Sequence, residues 1–440
     1  MTPPAKLRLE VWSPLPPLSS GIADYVCEQL ETLEAGFDLT LVVEDPSQID
    51  PSLRARHRVV PETASDPVAL RVYHVGNSPL HGFIYREALR TPGVVVLHEW
   101  NLHELVLGFG VRSNDFTEYR RQMRRQHGER GAVAAETVAS ALGGLHWTSA
   151  FALNVDLLES ALSVVCLSPT TARRVSARKP GGLVLQLDHH AFLPSRTRSR
   201  AQARWLLGLP EKARIVIAPG LGTTAKGLDA ARAAVSSLRG QMDDLILLRV
   251  GGSGASREKA PDFERSLGHV ELEILADALV AADVVLALRF PSRGETSGVL
   301  MRAFAAGRAA IVSSGSAADE DLPAGTVARV NPGPFEAIEL EAVLGFLLRD
   351  EPARNRLERL ASVVAAERPV ESLTRALGRF LLTVADQRKT IEIALEAKTA
   401  SAASVSSSLL RGYLEGAAGS LGLTSLPADV YQKVSELGVR

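Results

Sequence analysis

The sequence predicts an α/β protein of two successive doubly wound domains facing a central cleft, with a helical C-terminal tail. Three observations carry this expectation. Short apolar runs bounded by turn residues recur from Leu7 to Leu167, helical patterns lie between several of them, and the same alternation restarts near Arg214. Strands alternating with helices give parallel sheets. A length of 440 residues suits two or three domains at ~100–200 residues each.

In the first series, a strand over Leu7–Trp12 leads into a Pro/Ser/Gly loop, Ser13–Gly21, and then an amphipathic helix from Ile22 toward Leu33. Further strands are expected at Leu39–Val43, Val72–Val75, Val94–Leu97 and Val164–Leu167. The polar, Arg/Gln/Ala-rich stretch Asn114–Gly143 reads as one extended helix or a helix pair. A boundary is expected near Ala191–Ser199, where Pro194, serines and arginines interrupt the strand pattern. The second series places strands at Ile215–Ala218, Leu245–Val250, Val270–Ile274, Val284–Leu288 and Ala309–Ser313. Its helices fall at Gly227–Arg239, Leu275–Ala282 and Ser297–Ala306. Helix continues from Phe335, including Ile338–Arg349 and Ala353–Glu367, and a Ser/Ala-rich stretch, Ala400–Ser408, is expected to interrupt it. The domains are therefore placed at 1–195 and 196–367, followed by a helical extension over 368–440. In such sheets ligands sit beyond the carboxyl ends of the strands, and the natural site is the cleft between domains.

Composition narrows the function. Lys and Arg total 49 against 50 Asp and Glu, a net charge of −1, which argues against nucleic acid as a partner. With 46% hydrophobic and 22% charged residues, overall disorder is excluded. The apolar run around Leu279–Leu288 contains Asp283 and falls short of the ~20 residues that span a bilayer. Met1–Glu10 has no charged-then-apolar secretory pattern, and Cys27 and Cys166 are too few for a disulfide framework. A cytoplasmic location is the expectation.

Two stretches carry chemistry. The loop Pro219–Gly227 follows a buried strand and opens a helix, with Gly220 and Gly222 allowing close backbone approach to a phosphate and Lys226 adding a point charge. Only eight of the 49 basic residues are lysines, so the choice is not compositional. Lys precedes Gly here, contrary to a Walker loop. Gly220-x-Gly222-x-x-Ala225 satisfies the weak dinucleotide fingerprint, yet Arg249-Val250-Gly251 offers no acid for a ribose. A plain glycine-rich turn with a solvated lysine stays open. The second stretch, Leu288–Gly307, runs from a strand into a loop bearing Arg289, Arg293 and Glu295, then a helix that Thr296 or Ser297 caps and Gly298 begins. Arginines and helix N–H groups suit a diphosphate, and the carboxylate suits sugar hydroxyls. The alternative is a capped helix with a surface ion pair.

Other groups read more weakly. His98 and His103 are five apart, ~140° around a helix, so they do not form a zinc-protease pair. Asp188-His189-His190 has no further ligand cluster, and no metal site is expected. The helix around Tyr119–Arg130 carries Arg120, Arg121, Arg124, Arg125 and Arg130, a face that is either simply solvated or meets anionic head groups.

In this order, and after an N-terminal α/β half, the two stretches resemble retaining GT-B fold glycosyltransferases of family four. The resemblance runs from about Leu7 to Arg349 and includes Pro16–Tyr25, Gly76-Asn77 with His81, Val94–His98 with His103, and the Asn154 region leading into Val164–Ser168. It implies two doubly wound Rossmann-like domains, the first binding the acceptor and the second the nucleotide sugar. The family pattern is a Lys after the first strand of the second domain and two glutamates separated by seven residues. Lys226 and Glu295 match the Lys and the first glutamate. Arg302 or Ala303 stands where the second, ribose-holding glutamate would be, and Leu221 stands roughly where the family keeps an Arg.

The resemblance further implies a UDP- or GDP-linked sugar as co-substrate, no other cofactor, and a glycan, lipid-linked or small-molecule acceptor in cell-surface polysaccharide, glycolipid or glycoconjugate synthesis. Lys226, Glu295 and His98 would be catalytic, with Gly21, Gly220, Gly222, Arg289, Arg293, Thr296, Ser297 and Gly298 on the donor. Peripheral contact with the inner membrane face through the Arg120–Arg130 helix is part of this expectation. A non-catalytic GT-B-like scaffold, and an NAD(P)-dependent oxidoreductase using Gly220–Ala225, are the competing readings.

Overall fold

A computed structural model describes residues 6–143, 145–194, 198–220, 224–252 and 261–420. The first sheet comprises β1 (Leu7–Trp12), β2 (Phe37–Val43), β3 (Arg58–Pro61), β4 (Leu70–Val75), β5 (Val94–Leu97), β6 (Ser163–Cys166) and β7 (Leu183–Gln186). All pairs are parallel, in the order β3-β2-β1-β4-β5-β6-β7. The second holds β8 (Arg214–Pro219), β9 (Leu245–Val250), β10 (Glu264–Ser266), β11 (Val284–Ala287), β12 (Ala309–Ser313) and β13 (Ala328–Val330). It too is parallel, in the order β10-β9-β8-β11-β12-β13.

Each sheet is covered on both faces, as parallel sheets require. Successive residues of one strand therefore enter different cores: Leu41 packs with Leu9 and Val11, whereas Val42 packs with Trp12 and Tyr73. The second sheet divides likewise, with Ile217 and Val285 on one face and Val216 and Leu286 on the other. In both sheets the winding reverses at the first strand of the series. The crevices beyond β1 and β4, and beyond β8 and β11, are the topological switch points where ligands bind in open α/β sheets. Ser13–Gly21, Gly76-Asn77, Gly220–Lys226 and Arg289–Gly298 are the segments that leave those strand ends.

Several expectations change. The strand expected at Val270–Ile274 is the approach to a helix, Leu272–Ala281, with extended Glu271 as its N-cap; the neighbouring strand is β10, a few residues earlier. Strands β3, β7 and β13 were not anticipated. Asn114–Gly143 is a helix pair, because Thr117–Ala139 is broken at Gly128 (φ 62°, ψ −149°). The tail is not interrupted at Ala400–Ser408: one helix runs over Val370–Ser420. The beginning of this helix packs on the first domain. Leu377, Leu381 and Val384 enter the core of the first sheet, Gly378 lies against the Phe37 ring, and Arg388 donates to the Val68 and Ala69 carbonyls. The chain thus leaves the second domain and returns to the first. Among the described residues no helix is long and apolar enough to cross a membrane.

Leu381 is 0% exposed, so Leu381→Ala should cost about 2–5 kcal/mol through the cavity it leaves. Chemical denaturation followed by far-UV circular dichroism checks this, and an unchanged midpoint would mean that the helix does not hold the first domain together.

Candidate functional site

The second-domain wall starts at the end of β8. Gly220 adopts φ 124°, and a Cβ built there would lie 1.8 Å from Lys226 Nζ. The ammonium therefore occupies the space that a side chain would fill, lying directly on the Gly220 backbone. Lys226 ends a short 3₁₀ turn, Thr224–Lys226, and the turn is tied to the neighbouring loop by Phe290 N–H donating to the Ala225 carbonyl (2.8 Å). Burial, then the Arg289 charge, lower the Lys226 pKa to about 8 against the pull of Glu295. Gly222 lies outside the described residues.

The loop after β11 is organised by Glu295. Its carboxylate is 9% exposed, pairs with Arg289 Nε (2.7 Å) and accepts from the Arg293 N–H (2.6 Å). Ser297 caps the helix Gly298–Ala305 by accepting from Leu300 N–H (3.2 Å), and Thr296 precedes it. Thr296 and Ser297 line a small cavity of ≈ 40 Å³ together with His189. Lys226, Arg289, Arg293 and Glu295 thus form one charged cluster, as the sequence suggested.

The first-domain wall holds acidic groups that the sequence reading missed. Glu104 makes a bidentate pair with Arg293, one arm at 2.8 Å, and the Asn101 N–H donates to the Arg293 carbonyl (3.0 Å). Asn77 caps the helix His103–Ser113 by accepting from the Glu104 and Leu105 N–H groups (2.9 and 3.1 Å). Glu99, just past the end of β5, faces the cluster across the cleft. Burial, then the like charge of Glu295, push its carboxyl up to about 7 against the opposing pull of Arg289 and Arg293. The available signal was a carboxylate directly beyond the carboxyl end of a central strand.

Three expected residues sit differently. His98 is packed in a buried cluster, with Nε2 3.1 Å from His74 Nδ1 and its ring edge-on to Tyr25. Burial and the histidines around it hold its pKa well below the ordinary value, so it stays neutral, engaged in packing as well as near the cleft. Gly21 is exposed, and a side chain there would meet nothing within 4 Å. Arg302 is 8% exposed and turns to the other domain: it pairs with Glu28, lies 3.8 Å from Asp24, and donates to the Phe192 carbonyl (3.3 Å). Glu28 also receives His190 Nε2 at 2.5 Å. Further bridges join the halves, with Asp321 accepting from the Thr170 N–H and hydroxyl and Ser19 Oγ meeting His269 Nε2.

The remaining candidates make contacts within the fold. His103 bonds the Phe151 carbonyl and the Tyr119 hydroxyl, both at 2.8 Å. Arg120, Arg121, Arg124 and Arg125 each pair with a carboxylate, so their charge is balanced on the protein itself. Glu264 is paired with Arg232 and Arg249, and is therefore occupied rather than presented to a ribose. Cys27 and Cys166 are free thiols whose pKa burial raises to about 12. Among the described residues no three His, Cys, Asp or Glu side chains are grouped to hold a metal ion.

Solved structures decide the fold family. Sucrose-phosphate synthase from Thermosynechococcus elongatus superposes with a TM-score of 0.55 at 17% identity, over 89% of this chain and 100% of that one. The fold is GT-B. HepE of Anabaena, solved with UDP and glucose, has a TM-score of 0.54 at 13% identity, over 86% of this chain and 100% of its own. WaaG, a glycosyltransferase involved in lipopolysaccharide biosynthesis, has a TM-score of 0.51 at 15% identity, over 85% and 99%. No protein-family model matches, and no curated protein matches. In GT-B terms, the Lys226 and Glu295 loops belong to the C-terminal half and Glu99 to the N-terminal half.

Glu99 gives a pH-dependent prediction. Its folded pKa is raised from 4.5 to about 7, so the folded state binds the proton more tightly and stability falls as pH rises between those values. Glu99→Gln removes that loss. It should melt about 2–4 °C above the parent at pH 8 and level with it at pH 4, as read by scanning calorimetry.

Proposed function

We propose that this GT-B chain is a glycosyltransferase of the family-four type, moving a hexosyl group from a UDP- or GDP-linked sugar to an acceptor hydroxyl with retention at the anomeric carbon. The observation that carries the reading is the Lys226 ammonium lying on the Gly220 backbone beside the Arg289–Glu295 pair. These groups stand at the switch point of the second sheet, where a diphosphate meets backbone and fixed positive charge.

During transfer the bond from the anomeric carbon to the phosphate oxygen breaks and one to the acceptor oxygen forms. The acceptor proton ends on the departing diphosphate. Lys226, Arg289 and the N–H groups opening at Gly298 face the charge that develops there, and fixed donors in a water-poor cleft stabilise such charge without reorganising. Glu295 orients the sugar hydroxyls. Gly21 leaves room for the donor on the first wall, while the space beside Gly220 is what lets the Lys226 ammonium lie against the backbone there. His98 contributes the wall behind the transferred sugar. The first domain presents the acceptor, and closure limits hydrolysis. Cell-surface polysaccharide, glycolipid or glycoconjugate synthesis in the cytoplasm is the setting this reading gives the enzyme.

One observation favours a second reading, a GT-B scaffold that binds without turnover. Arg302 or Ala303 stands where the family resemblance places a ribose carboxylate, and Arg302 is committed to Glu28. The two readings part on turnover.

Lys226→Ala should weaken UDP binding at least tenfold and cut transfer from UDP-glucose by about 10²–10³, the scale of losing one preorganised charge donor. The parent should bind UDP less tightly as pH rises past about 8, where the ammonium loses its proton, and the variant should lose this dependence. Calorimetric titration with UDP checks both; equal affinity in the two proteins rules out the assignment. Glu295→Gln should weaken UDP-glucose more than UDP, and an equal loss for both ligands would contradict its contact with the sugar.

A further inference from the structure

A second cavity, of ≈ 210 Å³, lies between the two halves on the far side of the Glu295 loop. One wall is Ser292–Gly294, the residues that lead into Glu295; the opposite wall begins at Trp100, the residue after Glu99. The cavity therefore adjoins the place where the two carboxylates face each other. Gly294, at φ 72°, fits the loop against the indole, since a Cβ there would come within 2.7 Å of Trp100 Cβ.

The lining states what chemistry it accepts. Most of its polar groups are already engaged. Asn101 donates to the Thr148 and Ser149 carbonyls, and Thr170 is bonded to Asp321. What faces the opening is the Arg174 guanidinium, 5.8 Å from the Trp100 ring centroid, and the Glu320 carboxylate, 4.0 Å from Arg174. Both are almost half exposed, at 44% and 43%, so neither is locked by the loose pair they form. A fork of N–H donors, a carboxylate acceptor and an indole together match vicinal hydroxyls and the C–H face of a sugar ring. The nearby carboxylate balances the arginine, which disfavours a phosphate. The polar walls disfavour a lipid tail.

We propose that this cavity is the acceptor subsite and that it holds one neutral monosaccharide unit, with Trp100, Arg174 and Glu320 recognising it. The proposal rests on the transfer reading above. The unit lies against Trp100, which follows Glu99, and against Ser292–Gly294, which lead into Glu295, so it abuts the loop on which the donor sugar would rest. Recognition thus reads the ring, and whatever extends beyond the mouth is read less strictly.

Saturation-transfer NMR tests this, with free D-glucose, D-galactose, D-mannose and N-acetyl-D-glucosamine as probes and the full chain saturated with UDP. At least one sugar should give a saturable signal. Arg174→Ala, Glu320→Gln and Trp100→Ala should each weaken that signal at least tenfold, while the UDP dissociation constant stays within twofold. Arg174 and Glu320 are exposed enough that their variants fold even if Trp100→Ala does not. Absence of a signal from all four sugars, or a signal unchanged in the Arg174 and Glu320 variants, overturns the proposal. So does a parallel loss of UDP affinity, which would assign the cavity to the nucleotide. A parent protein with no affinity for UDP would instead defeat the transfer reading, and the sugar signal reports on the cavity independently of it.

Discussion

A nearly buried carboxylate, Glu295, shapes everything around it. It accepts from the Arg293 N–H and pairs with Arg289, which turns the loop after β11 into a fixed shape. That shape sends the Arg293 side chain across the cleft to Glu104, aligns Gly294 against Trp100, and leaves Ser297 positioned to cap the next helix. An ionised group so deeply placed is costly unless it is paired and hydrogen-bonded. The positive charges drawn to it are the same ones that a diphosphate would meet, so the stabilising interaction and the binding site share their residues.

The two halves meet through charge rather than through a common apolar core. Arg293–Glu104, Arg302–Glu28 with His190, and Thr170–Asp321 all cross the cleft, while no hydrophobic cluster contains strands of both sheets. Buried ion pairs contribute little net stability against desolvation, but they penalise any arrangement that leaves one partner alone. They therefore specify how the walls face each other. The long C-terminal helix adds a covalent link by returning to the first core.

Much of the architecture was legible in the sequence because central parallel strands are buried on both faces and read as continuous apolar runs. Leu7–Trp12, Val94–Leu97, Leu245–Val250 and Ala309–Ser313 coincide with β1, β5, β9 and β12. The strands missed, β3, β7, β10 and β13, are all short, and three of them are sheet edges with a half-polar surface; β10 is the fourth edge. Arg58-Val-Val-Pro61 and Glu264-Arg-Ser266 carry no periodic signal of that kind. Val270–Ile274 misled because its alternation of apolar and acidic residues imitates a strand, whereas Leu272 onward buries a helical face. The Ser/Ala-rich stretch misled for a similar reason: small residues lower amphipathic contrast without preventing helix.

Of the site, the sequence by itself determined the second-domain wall. A glycine loop with Lys226, and Arg289, Arg293 and Glu295 ahead of a capped helix, are local patterns whose chemistry follows from adjacency along the chain. The opposite wall was decided only by tertiary structure. Glu99, Glu104 and Glu28 gain their meaning from residues about 190 to 270 positions away in the chain, as the separations of 189 for Arg293–Glu104 and 274 for Arg302–Glu28 show. Likewise the roles of His98 and Arg302 came from the family resemblance, but burial among histidines and pairing across the cleft set their states. Charge and desolvation act through space, and only the folded chain brings those groups within reach of one another.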